Sequence, residues 1–450
     1  MKVLLISANT FTHPYPVYPL GLDHVAGAVA EFHDVRIADL NPMGGNGAVE
    51  AVIHGFRPDI IGMAIRNVDT TDSTAPDGFV ASYRDLIRRI RQAVSAPVVL
   101  GGAGFTIFPK EMMAMLDADY GVVGEGERFL TLLDALERGE TAFGLPGIVT
   151  RESNAAEIPS VWKGRFGPRF QSESDRFGFY LQRGGMLNLQ TKRGCRFRCI
   201  YCTYPRIEGR RFRFIPPDEV AQTARRLQEA GARYLFITDA VFNGDADHSL
   251  AVARAFRRIG LSVPWGGYFS PMRPPEGYYR EMADAGMTHV EFGTESLCDA
   301  VLTAYRKQFR AADVRAAHRA ARDAGLHIAH YFLLGGPGET PETLNQTLSI
   351  IDKLDRSVLF FFCGMRIYPH TELYDIAVKE GRISSDRNLL EPVYYRSSAI
   401  PPEEIVRTVR EKAGGRPNWV IGSGGPRAAE TIARMYQKGY VGPLWEYLIR

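Results

Sequence analysis

Short apolar runs alternating with amphipathic stretches constrain this chain more than any other feature, because that alternation folds most readily as parallel strands crossed by helices. In the first third the runs are Val3 to Ala8, Val35 to Leu40, Ile60 to Ile65, Val98 to Gly102 and Tyr120 to Gly124, with helical stretches at about 20–32, 47–56, 78–95, 109–117 and 126–138. Five strands interleaved with helices predict an α/β domain over 1–140. Its doubly wound, Rossmann-like sheet places a ligand beyond the carboxyl ends of the strands. The alternation resumes with longer spacing at Met186 to Thr191, Tyr234 to Ala240, Val263 to Phe269, His289 to Glu295, His327 to Gly336 and Leu359 to Ile367. Six such units predict a partial (β/α)6, TIM-like barrel over 186–385, with its chemistry on the loops after the strands.

The segment 141–185 is polar and irregular, with Trp162 to Pro168 and Ser172 to Asp175 typical of it, and reads as a linker. Residues 386–450 read as a small, mainly helical C-terminal region. There Ile405, Val406, Val409 and Ala413 predict an amphipathic helix opened by Pro401-Pro402-Glu403-Glu404.

A chain of 450 residues that is 45% hydrophobic can bury two or more cores. Its 54 basic and 51 acidic residues leave a formal charge of +3, which points away from a nucleic-acid partner. No window of about 18 apolar residues occurs, so no membrane span is expected. Met1 to Ala8 reads as a first strand, not a signal peptide. Five cysteines, three of them clustered, fit a reducing cytoplasm better than a disulfide framework.

Those three, Cys195, Cys199 and Cys202, form C-x3-C-x2-C on the loop after the first barrel strand. Three thiolates are one fewer than a cubane [4Fe-4S] cluster needs, which leaves one iron open. A closed zinc site needs four ligands, and here Cys298 and Cys363 are single and distant and no His lies within ten residues of the motif. Three buried cysteines without metal are the remaining reading; the neighbouring Arg193, Arg196 and Arg198 suit a core poorly.

The triplet, with Tyr201 just before its last Cys, resembles the radical S-adenosylmethionine (SAM) enzymes. That resemblance implies that the cluster's open iron chelates SAM and that an electron cleaves it to a 5′-deoxyadenosyl radical, with Tyr201 near the adenine. Later strand ends match in order. Asp239 and Asn243 fall where the family places polar groups near the SAM amino group, and Glu295, in Phe292-Gly-Thr-Glu-Ser296, where an acid meets the ribose. Gly335 and Gly336, in Leu334-Gly-Gly-Pro-Gly-Glu339, match the segment that approaches the adenine. Arg366 opens a sixth-strand motif in which His370 replaces a glycine.

In the N-terminal third the strand ends carry Asn9 and Thr10, then Arg66 and Asn67, then Gly101, Gly102, Gly104 and Phe105, then Glu125 and Gly126. Two Gly-rich loops on one edge let a large planar or phosphate-bearing ligand approach the backbone, although neither is a G-x-G-x-x-G fingerprint after the first strand. With Tyr18 to Leu22, Pro58 to Gly62, Val98 to Gly102 and Val123 to Glu127, the domain resembles the cobalamin-binding domain of the B12-dependent radical SAM enzymes. The resemblance implies that these strand-end residues contact cobalamin. The D-x-H-x-x-G motif of other cobalamin domains is out of register in Leu22-Asp23-His24-Val25-Ala26-Gly27, and His24 reads as a helix residue, not a cobalt ligand.

With a [4Fe-4S] cluster, SAM and cobalamin in one chain, the family implies methylation of an unactivated carbon through a 5′-deoxyadenosyl radical and methylcobalamin. No protein acid or base is assigned. A cyclisation or rearrangement without methyl transfer is a second reading, and a non-enzymatic iron-sulfur or zinc-binding scaffold a third. Methylthiotransferases are disfavoured because the N-terminal domain has no cysteine for a second cluster. Small molecules, lipids, tetrapyrroles and peptides are all expected substrate classes, and flavodoxin or ferredoxin an expected electron donor.

Overall fold

The computed structural model describes residues 1–152, 162, 167–168 and 176–449. Two compact units emerge, one of Met1–Thr70, Asp77–Phe179 and Arg206–Gly209, the other of Thr71–Pro76, Tyr180–Pro205 and Arg210–Arg450.

The first unit is built on β1 (Lys2–Ser7), β2 (Asp34–Asp39), β3 (Ile60–Ala64), β4 (Val98–Gly101) and β5 (Tyr120–Val122), all parallel in the order β2-β1-β3-β4-β5. The order reverses between β1 and β3, and such a switch point opens a crevice at the strands' carboxyl ends. Asn9 and Arg66 follow the two strands that flank it. Val3, Leu5, Ile60, Val99 and Val122 pack under Leu22, Ala26 and Val29 of one helix and Leu132 and Leu133 of another. Both sheet faces are covered, which explains why the strands read as continuous apolar runs.

The segment 141–185 is not irregular throughout. Ile148–Thr150 forms β6, antiparallel to β5, and Arg176–Gln182 forms a helix. Residues 153–161, 163–166 and 169–175 of the expected linker lie outside the described residues.

The second unit contains β7 (Met186–Leu189), a small hairpin of β8 (Lys192–Arg193) and β9 (Arg213–Phe214), then β10 (Tyr234–Ile237), β11 (Trp265–Phe269), β12 (Met287–Glu295), β13 (His327–Leu334) and β14 (Ser357–Cys363). A second short pair, β15 (Met365–Arg366) and β16 (Tyr394–Tyr395), precedes β17 (Trp419–Ile421). The main sheet runs β17-β14-β13-β12-β11-β10-β7, all parallel. Consecutive order means that every crossover turns the same way, the topology of a barrel, and β7 and β17 are its two open edges.

The six expected strands are therefore joined by a seventh from the C-terminal region. The helix Pro402–Ala413 buries Ile405, Val409 and Ala413, at i, i+4 and i+8, against β14 and the helix Pro341–Ile350. Alternation along β12 turns Phe292 and Thr294 toward His330 and the outer helices. Glu291 points the other way and accepts hydrogen bonds from Tyr331 at 2.8 Å and from the Trp445 indole at 3.0 Å.

Candidate active site

The cysteine loop is held before any cofactor is considered. Fully buried Asp239, just after β10, accepts from the Thr191 amide at 2.7 Å and hydroxyl at 2.6 Å, and from the Lys192 amide at 3.3 Å and ammonium at 2.9 Å. Four donors fill the roughly four lone-pair sites of a carboxylate. Lys192 also donates to the Phe242 carbonyl at 2.9 Å. Further along, the Ile200 amide donates to the Tyr305 carbonyl at 3.3 Å and the Ile200 carbonyl accepts from Leu373 at 2.9 Å. Asp239 thus ties the root of the cysteine loop to the next strand.

Cys195 is buried, and Cys199 and Cys202 are half-buried. Burial pushes the Cys202 thiol up to about 12, Cys199 and Cys195 add to the rise, and Lys307 opposes it. Such a set ionises readily only against a cationic partner. Among the described residues no group of three or more His, Cys, Asp or Glu side chains gathers as a single ion requires. A cubane takes each thiolate on a different iron, so this donor set fits a cluster and not a lone zinc.

Beside the loop, buried Glu295 and half-buried Tyr201 and Lys307 form a knot. The Tyr201 hydroxyl donates to Glu295 Oε1 at 2.6 Å, Lys307 Nζ donates to the same oxygen at 3.0 Å and to the Tyr201 hydroxyl at 3.2 Å, and the ammonium lies 5.6 Å from the Tyr201 ring centroid. Burial raises the Tyr201 phenol well above its usual range, and Glu295 adds to that shift. For Lys307 burial acts downward, yet Glu295 and Cys199 outweigh it and raise the ammonium. Glu295 has a second oxygen with which to meet a ligand and sits at φ 62°, a strained conformation for a side chain of this type.

The remaining motif residues are more internal than expected. Both ends of the Asn243 amide are taken by Ser270, donating to its carbonyl at 2.7 Å and accepting from its amide at 2.8 Å. Arg366 donates to the carbonyls of Ile367 and Leu389 at 2.6 Å and of Val393 at 3.5 Å. It ties down the loop leading to β16. Gly336 leaves no room for a Cβ, which would lie 2.5 Å from the Tyr305 hydroxyl and 2.7 Å from Met365. Gly335, at φ 80°, turns the chain out of β13. Buried Cys363 packs in the core beneath the helix Pro402–Ala413.

In the first unit the edge residues divide. A Cβ on Gly102, at φ 95°, would lie 2.5 Å from the Ile65 carbonyl oxygen, and one on Gly126 would lie 2.5 Å from Val25. Phe105 is fully buried, its ring filling the space beside Gly121, and Gly104 packs on Ile65 and Val68. Packing accounts for the glycines and the phenylalanine at those four positions. Asn9 is also largely buried and donates to the Phe11 carbonyl at 3.4 Å. Thr10 is exposed, Arg66 and Asn67 are half-exposed and bonded to each other at 3.2 Å, and Glu125 accepts from the Trp162 amide at 2.8 Å. Half-exposed Gly101 has open space beside it, with nothing nearer than 3.9 Å to the place of a Cβ, and its carbonyl accepts from the Ile65 amide at 2.8 Å. A polar edge with an open glycine near a switch point fits a large planar cofactor. His24 is buried on the helix Leu20–Val29, in keeping with its reading as a helix residue.

The Radical SAM superfamily matches residues 189–351, and the B12 binding domain matches residues 6–134. Fold and site together define an iron-sulfur enzyme with an added cobalamin domain. The chain belongs to the cobalamin-dependent radical SAM enzymes, whose cofactors are a [4Fe-4S] cluster, SAM and cobalamin. An uncharacterized methyltransferase of Pyrococcus horikoshii is 27% identical over 84% of this chain and 83% of its own length. The tryptophan 2-C-methyltransferase of Streptomyces laurentii is 25% identical over 82% of this chain and 73% of its own. The structure of the radical S-adenosylmethionine methyltransferase TsrM from Kitasatospora setae, with cobalamin and [4Fe-4S] cluster bound, matches with a TM-score of 0.88 at 23% identity, covering 99% of this chain and 97% of that one.

Sequence reasoning missed Lys307 and Lys192. Lys192 stands three residues before Cys195 and was findable by its place; Lys307 is one basic residue among several in Arg306-Lys307-Gln308-Phe309-Arg310 and carries no signal.

Proposed function

We propose that this chain transfers a methyl group from SAM to an unactivated carbon of a small molecule. The observation that carries the reading is the pairing, in one chain, of a three-thiol loop beside the Tyr201–Glu295–Lys307 knot with a cobalamin-type domain, in a sequence whose relatives include methyltransferases. When bound, the cluster and SAM supply one-electron chemistry and cobalamin supplies a methyl carrier. The protein's part is to hold, orient and keep dry.

Cys195, Cys199 and Cys202 hold the cluster, and Asp239 fixes the root of their loop through Thr191 and Lys192. Tyr201, Glu295 and Lys307 bind SAM: Glu295 offers an acceptor to hydroxyl groups and Lys307 a cation to a carboxylate. Asn243 and Gly335 shape the neighbouring loops. Thr10, Arg66, Asn67, Gly101 and Glu125 form the cobalamin edge, with Asn9 bracing it. None of these side chains is assigned as a catalytic acid or base. No helix among the described residues is long and apolar enough to cross a membrane, and an oxygen-sensitive cluster places the enzyme in a reducing cytoplasm, served by a flavodoxin or ferredoxin and independent of nucleic acid.

The test is product analysis under anaerobic reducing conditions, with a low-molecular-weight metabolite extract as the acceptor source. Methyl transfer predicts S-adenosylhomocysteine together with a labelled methyl group in an extract component. SAM cleavage with neither would favour a rearrangement.

A further inference from the structure

Four side chains outside the site form a continuous hydrogen-bonded chain that ends against it. Asp355, about half exposed, accepts from His318 Nε2 at 3.3 Å; His318 Nδ1 lies 3.1 Å from His330 Nε2; His330 Nδ1 lies 2.7 Å from the Thr294 hydroxyl. Both imidazoles and Thr294 are fully buried.

The bonding direction is determined throughout. A carboxylate only accepts, so His318 carries its proton on Nε2 and, when neutral, accepts at Nδ1. His330 must then donate from Nε2 and accept at Nδ1, and Thr294 must donate its hydroxyl proton. Burial lowers both histidines, and each is therefore neutral near pH 7. Charged groups facing the pair are few: Asp355 from the segment before β14, which also accepts from Arg322 at 2.9 Å, and Arg319 and Arg322 from the helix that carries His318. The other face of His330 stacks on Phe292, with ring centroids 5.3 Å apart.

Thr294 is the extra residue of a β-bulge. Gly293 pairs with Tyr331 and Glu295 with Phe332, so two residues advance on β12 against one on β13. A bulge of this kind re-aims the side chain that follows it, and here Glu295 follows at positive φ. We propose that His330, oriented by His318 and Asp355, is a positioning residue that anchors the Thr294 bulge and so sets Glu295 toward SAM. This rests on the reading of Glu295 as a SAM ligand given above.

Two amides separate anchoring from mere filling. His330→Asn puts a carbonyl oxygen near the Nδ1 position and can still accept from Thr294; His330→Gln reaches the Nε2 position and serves His318 only. SAM dissociation constants are measured on the cluster-reconstituted full chain, with melting of the cofactor-free protein recorded alongside. Wild-type binding comes first and checks the parent reading by itself; the ratios between variants decide this one. His330→Asn is expected to stay within about threefold of wild type, while His330→Gln, His330→Leu and the isosteric Thr294→Val weaken SAM about tenfold, the worth of one buried hydrogen bond. All four keep their iron, and histidine ¹⁵N spectra of the wild-type protein show both rings as the Nε2–H tautomer. Equal binding by the Asn and Gln variants, wild-type binding by Thr294→Val, or an Nδ1–H tautomer on either ring would overturn the proposal.

Discussion

At the scale of single residues, most of the local chemistry arises from burial acting on a few charges. His318 and His330 are both depressed below the ordinary histidine value of 6.5, first by desolvation. The folded protein therefore binds fewer protons than the unfolded chain as the pH falls below that value. Their contribution to stability is complete above about pH 6.5 and is lost on acidification, at up to about 1.4 kcal/mol per pH unit for each ring. Melting followed from pH 7.5 to 5 is expected to show that decline, and His330→Asn to flatten it; an unchanged slope in the variant would contradict the assignment. Sequence reading singles out residues that stand in a local motif, such as the three cysteines, Tyr201 and Glu295. It could not find Lys307 or the histidine pair, because nothing in a sequence says that positions 201, 295 and 307, or 318 and 330, meet. Asp239 and Arg366 also occupy motif positions, and a sequence does not say that the first bonds Thr191 and Lys192 or that the second bonds backbone carbonyls.

At the scale of elements, the strand-end loops are rigid because neighbouring strands share their polar groups. Asp239 and Lys192 form an ion pair at 2.9 Å with essentially no exposure, and removing one partner of such a pair costs about 3–5 kcal/mol. Asp239→Ala should lower the melting temperature and iron occupancy together, whereas iron content at wild-type level would show that the cysteine loop does not depend on this tie. In the first unit Gly101 and Gly102 make a matched pair. A Cβ at Gly101 meets only ordinary contacts, so Gly101→Leu should reduce cobalt content with little change in melting. Gly102→Leu drives a side chain into the Ile65 carbonyl at a positive φ, a strain of about 1–3 kcal/mol or more, and should destabilise the protein as well. Cobalt unchanged in Gly101→Leu would remove this edge from the site. The strands of the first third were legible because each is an apolar run set between amphipathic helical stretches: all five begin and end within two residues of expectation, although β5 is only three residues long. Strands β6 and β17, Ile148–Thr150 and Trp419–Ile421, are equally short but fall outside that regular alternation, in segments that read as a linker and a helical C-terminal region.

For the whole molecule, fold class followed from the order of strands and helices, and the topology added what order alone leaves open: a reversal between β1 and β3 in the first unit, and a strictly consecutive sheet in the second. That difference gives one unit a crevice for a large flat cofactor and the other an open barrel whose strand ends carry the cluster loop. With both cofactor sites in one chain and the cysteines serving only one of them, the two metals should respond separately to loss of a cysteine. The most direct measurement is iron and cobalt content of the wild-type protein and of Cys199→Ala after anaerobic purification from cells supplied with cobalamin. About four irons and about one cobalt per wild-type chain, with iron lost and cobalt kept in the variant, are the predicted result. Iron retained at the wild-type level in Cys199→Ala, or a wild-type chain that takes up no cobalt, would contradict it.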